Sequence, residues 1–248
     1  MVIPTTRAAL VRTTIQVIVF SVAMGFLESA VVVYLRKIYY PAGFRFPLTP
    51  IDPLIATTEF WREVATIIML SGIGVIAGKN RMQRFAYFVL SFAVWDIFYY
   101  VFLKVILGWP ATIIDWDILF LIPVPWVGPV ICPVIISITM TLFSLSILHF
   151  ESAGNATFIS PREKIIFLAG CAIVLFSFMQ DYFTFLGSHH AFSRLWVPGS
   201  KEELFKELSA YTPEKFSWWL FWSGELLILL GIARFTKKYF RSQKGTFA

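Results

Sequence analysis

The sequence predicts an all-α, polytopic transmembrane helical bundle of about six spans, forming a single integral membrane domain over residues 1–248. Three observations lead there. The chain is 58% hydrophobic and 18% aromatic but only 15% charged, against roughly 25% charged for an ordinary soluble domain. Its apolar residues are gathered into runs that reach the roughly 20 residues needed to cross a hydrocarbon core about 30 Å thick. Its basic residues sit in short clusters beside those runs, where they orient helices against anionic lipid. The formal charge of +6 is thereby explained by the bilayer as partner, and nucleic acid is excluded as one.

The first span covers about 13–34 and follows Arg7 and Arg12. Its charged start resembles a signal peptide, but a run of about 20 residues without an A-x-A cleavage site reads as a retained span. The Pro-rich loop 40–47 leads to span two, about 60–77, and the basic turn 79–84 leads to span three, about 85–107. Span three stops at Gly108-Trp109-Pro110, because proline disfavours helix at the residue before it.

Residues 118–148 are too many for one ordinary span and include Pro123, Pro125, Pro129 and Pro133. A short half-helix or re-entrant piece is expected there, then a non-helical break over 123–129, then span four over about 127–148. Spans five and six follow at about 165–186 and 216–235. Between them, Leu204, Phe205 and Leu208 share one face of 201–208, which predicts a short interfacial helix before span six.

Lys and Arg favour the amino terminus, the turns at 78–84 and 149–164 and the carboxyl tail over the other loops, although Arg36, Lys37 and Arg45 run against that bias. The positive-inside rule then places the protein in the cell membrane with both termini cytoplasmic. A weak repeat is also visible. Glu28, Leu35-Arg36 and Pro41 recur as Asp96, Leu103-Lys104 and Pro110 about 68 residues later, as in duplicated hairpins that frame a membrane site.

An ionisable group at the centre of a span costs about 2.5 to 3.5 kcal/mol on the insertion scale, so each needs a reason. Glu28, Asp96, Asp181 and Glu225 lie within spans one, three, five and six, and Glu59, Arg62 and Glu63 share a face at the start of span two. All fall at mid-membrane or in the outer half. The expectation is an outward-facing pocket lined by carboxylates and aromatic rings, with Glu28 and Asp96 as candidates for proton transfer or cation binding and Glu28, Asp96 and Glu63 as the candidate catalytic acids. Glu28, Glu59, Arg62, Glu63, Asp96, Tyr99, Tyr100, Asp181 and Glu225 are the candidate binding residues. Asp96, Tyr99 and Tyr100 share a face at i, i+3 and i+4, and Glu28 holds the corresponding level in span one. Arg62 is suited either to clamping an oxyanion or to pairing with Glu59. Asp115 and Asp117 read as solvated loop acids.

Several chemistries lack their motifs. Cys132 and Cys171 lie in apolar runs and read as packing residues, and His149, His189 and His190 do not pair across spans to hold a haem. No H-E-x-x-H, Walker A, G-x-S-x-G or G-x-G-x-x-G pattern occurs. No metal or cofactor is therefore expected. Three functions stay open: a small transporter or proton-coupled carrier, a membrane enzyme acting on a lipid or lipid-linked substrate, and a cofactor-free subunit of a larger membrane complex. The corresponding partners are a small-molecule or lipid ligand, further copies of the chain in a homo-oligomer, or the other members of a membrane complex.

Overall fold

Helix starts in this chain are written by capping residues. The Asp52 carboxylate accepts the backbone N–H groups of Leu54 and Ile55 at 2.9 and 3.3 Å, and Pro53 occupies the first turn, where its missing N–H costs nothing. Asn80 accepts the N–H of Gln83 at 2.9 Å in the same way. The computed structural model describes residues 7–120, 124–188 and 211–245. Among these are six helices: α1 (Arg7–Tyr39), α2 (Pro53–Ala77), α3 (Arg81–Leu107), α4 (Ile131–Ser152), α5 (Pro161–Ser188) and α6 (Trp218–Gly245). Each is long and apolar enough to cross a membrane, compatible with a multi-pass integral membrane protein.

Two expectations are corrected. Span two was placed from about 60, but α2 begins at Pro53, because the Asp52-Pro53 start signal extends the helix beyond its apolar run. In place of a half-helix before span four, the described residues form an antiparallel ribbon of β1 (Trp116–Phe120) and β2 (Trp126–Pro129). Trp116 pairs with Pro129, Asp117 with Gly128 and Ile118 with Val127, and the register shifts between Ile118 and Phe120. The prolines that forbid helix there leave extended backbone, and Pro129 closes the ladder at its last pair, where its missing N–H is tolerated. The expected interfacial helix over 201–208 lies outside the described residues.

α3 is the hub, packed against α1, α2 and α4. It runs parallel to α1: the Tyr87 hydroxyl donates to the Leu10 carbonyl at 3.4 Å near one end, and the Ser29 hydroxyl donates to the Tyr99 carbonyl at 3.0 Å towards the other. Small residues Ser21, Gly25 and Ser29 recur every four positions on the α1 face turned to α3. A Cβ on Gly25 would sit 2.9 Å from the Trp95 carbonyl oxygen, so only glycine permits this approach. α5 and α6 form a second, antiparallel pair closed by Gly170 against Gly224, where a Cβ on either would lie under 3.0 Å from the other's carbonyl oxygen.

α4 joins the two groups. Its Ser137 reaches α3 and its Thr139 reaches α6, while Phe143 and Phe150 pack on Phe235. The ribbon lies over the end where α1, α3 and α5 finish, with Val127 packed among Tyr182, Leu186 and Tyr211. At the opposite end Glu151 accepts from Asn80 at 2.6 Å, Gln83 at 3.2 Å and the Thr157 N–H at 2.9 Å, tying the α2–α3 turn to the α4–α5 turn.

Candidate functional site

Near the ribbon end, α1 and α2 are joined by one guanidinium held between two carboxylates. Arg62 donates through Nε and Nη2 to Glu59 Oε2 at 2.9 and 2.7 Å, and through Nη1 to Glu28 Oε1 on α1. Of the two arrangements open to Arg62, the structure shows the self-paired one, widened to bridge two helices. Glu63, the next residue on α2, is buried as well.

Asp96 lies halfway along α3 and accepts a hydrogen bond from the Ser137 hydroxyl of α4 at 2.8 Å. Because α1 and α3 are parallel and Ser29 meets Tyr99, Glu28 and Asp96 stand at nearly the same level. Tyr99 and Tyr100 follow one turn later with ring centroids 4.8 Å apart. Tyr99 is the connecting residue: it lies within electrostatic reach of Glu28 and Arg62 on one side and of Arg36 and Asp117 on the other. Asp96 feels the charges of Asp117 and Glu28. Groups from α1, α2, α3 and β1 thus form one network of electrostatic neighbours between helices.

Arg36 and Asp117 are the part of this network that the sequence did not reveal. Asp117, expected to be a solvated loop acid, is 2% exposed, and Arg36 Nη2 donates to its Oδ1 at 3.1 Å. The ribbon carries Asp117 inward over the end of α1, and the Arg36 guanidinium lies 3.7 Å from the Trp109 ring centroid and 4.4 Å from that of Phe44. These cation–π contacts compensate part of its lost hydration. Burial pushes the Asp117 carboxyl up to about 6, with the Arg36 charge pulling the other way. Arg36 Nη1 and Asp117 Oδ2 are both buried without a hydrogen-bond partner among the described residues. One signal in the sequence pointed here: Arg36 runs against the distribution of most other basic residues, and the structure gives it a buried partner. Asp115 matches its expected place near the surface. Its slight burial is outweighed by hydrogen bonds from Thr112 and the Ala111 N–H, which hold its carboxyl below the ordinary range.

Two candidates stand apart from the network. Asp181 accepts from the Tyr211 hydroxyl at 2.7 Å and from the backbone N–H groups of Glu214 and Lys215 at 3.3 and 3.4 Å, which anchors the segment entering α6. Glu225 is 1% exposed and receives the Thr139 hydroxyl on the far side of α4 from Asp96. A surface depression of about 230 Å³ lies at the other end of α1, between it and α4, and contains none of the candidate acids. His189 and His190 lie outside the described residues, and among the described residues no group of three or more His, Cys, Asp or Glu is placed to hold a metal.

What the arrangement can do chemically is exchange protons or hold a small cation. It has carboxylates, hydroxyls and two committed guanidiniums, and within the network no thiol or imidazole. No protein-family model matches the chain, and no curated protein or solved structure shows significant similarity to it.

Proposed function

We propose that the protein is a small proton- or cation-coupled carrier of the cell membrane, with both termini cytoplasmic and the ribbon end facing outward. The observation that carries this reading is Asp96, a carboxylate at mid-helix whose partner is the neutral hydroxyl of Ser137. Among the described residues, Glu28, Glu59, Asp96 and Asp117 lie between mid-bundle and the ribbon end with two bases, Arg36 and Arg62, paired to three of them. Acids in excess of bases at this depth are stabilised by a proton or a hard cation, since an uncompensated charge between helices is costly. The hydrogen-bond partner of Asp96 is an oxygen, which suits either occupant. Asp96 is half-buried at the contact of α3 with α4.

The experiment needs no knowledge of the transported solute. Protein reconstituted on a solid-supported membrane is given a pH jump, and separately a sodium jump, while charge displacement is recorded. The wild type should give a transient with one of the two, and Asp96→Asn should abolish it, because the amide still accepts the Ser137 hydroxyl but takes up no charge. Glu28→Gln should alter its pH dependence. No transient in the wild type, or an unchanged transient in Asp96→Asn, removes the carrier reading.

A further inference from the structure

We propose that the groove between α1 and α4, at the end opposite the ribbon, binds one anionic phospholipid. α1 and α4 both lean on α3 and diverge from each other, leaving a depression of about 230 Å³. Its floor is closed by Leu10 and Leu148, which belong to the buried core, and by the Tyr87 hydroxyl bond to the Leu10 carbonyl.

The lining is graded along the helix axes. Arg7, His149 and Ser152 lie at the level of the helix ends, whereas Ile15 and Leu145 lie one to two turns deeper. Val11, Ile15 and Leu145 are exposed, a face that an acyl chain covers. Beside the groove the exposed surface of α1 carries Arg12 next to Arg7, Val11 and Ile15. A molecule with a charged head at the helix ends and a hydrocarbon tail running inward matches this order.

Charge selects among lipids. Arg7 and Arg12 are exposed, and among the described residues no carboxylate pairs with either or lines the groove. A phosphodiester accepts from the planar guanidinium fork in two directions at once. A choline or ethanolamine cation finds no acid there to answer it. The groove is thus built for a headgroup whose net charge is negative.

The test uses the full chain in detergent with phosphatidylglycerol and phosphatidylcholine of identical acyl chains, supplied in equal amounts, and reads retained lipid by native mass spectrometry. The wild type should retain phosphatidylglycerol by about tenfold over phosphatidylcholine, on the scale of the attraction of one or two basic residues to anionic lipid. Arg7→Gln with Arg12→Gln should bring the ratio close to one, and Arg7→Lys with Arg12→Lys should keep most of it. Leu145→Trp fills the groove without changing charge, and should lower retention of the bound lipid while the protein stays monodisperse. Equal retention of the two lipids by the wild type overturns the proposal, as does an undiminished preference in the double Gln variant or an undiminished retention in Leu145→Trp.

Discussion

Replacing Asp117 with asparagine should stabilise the protein near neutral pH, although it removes half of a buried ion pair. Burial raises the Asp117 carboxyl from 3.8 to about 6, and the Arg36 charge opposes the rise without cancelling it. A carboxyl that holds its proton more tightly in the fold than in the unfolded chain contributes stability that is full below about pH 4 and is lost as pH rises through about 6. About two pKa units at 1.36 kcal/mol each make that loss about 3 kcal/mol. Asparagine has the shape of the protonated acid and no charge to desolvate, and its NH₂ can turn towards Tyr99 and Tyr100 while its oxygen faces Arg36. The variant should therefore match the wild type at pH 4 and exceed it by up to about 3 kcal/mol at pH 8. At about 2 to 4 °C per kcal/mol for a chain of this size, the midpoint at pH 8 should rise by about 6 to 12 °C. Scanning fluorimetry of both proteins in detergent from pH 4 to 8 measures it. An Asp117→Asn protein less stable than wild type at pH 8, or a gap that does not close towards pH 4, would refute the reasoning and show that the attraction of Arg36 exceeds the cost of burying the carboxylate.

Gly25→Ala should cost about 1 to 3 kcal/mol, and Gly25→Leu more, because the new Cβ meets the Trp95 carbonyl at 2.9 Å and forces α1 away from α3. Gly72→Ala on α2, where nothing lies within 4 Å of the added Cβ, should be neutral or stabilising by about 1 kcal/mol through helix propensity, so equal losses at the two sites in an unfolding titration would contradict the packing argument. In a background with Cys132 and Cys171 replaced, cysteines at Lys79 or Lys244 should resist a membrane-impermeant thiol reagent in intact cells while one at Ser200 reacts; the reverse pattern inverts the orientation.

The levels of the polar residues were legible in the sequence, because a helix advances a fixed 1.5 Å per residue and a bilayer demands apolar runs of nearly constant length. That placed Glu28 beside Asp96 in height and grouped Glu59, Arg62 and Glu63 on one face. The partners were not legible, since they depend on how each helix is rotated about its axis and on where the connections carry their side chains. Arg36 and Lys104 hold matching places in the repeat, yet Lys104 folds back to the Gly108 and Pro110 carbonyls while Arg36 meets Asp117, 81 residues away along the chain. A ribbon that turns inward decided that pair. Likewise Glu225 is a span acid like Asp96, but the rotation of α4 gives Ser137 to one and Thr139 to the other, and Asp181 is held by Tyr211 and the backbone before α6. Length and hydropathy set depth through the solvent, while azimuth is set by packing, where a single small residue such as Gly25 chooses which faces meet.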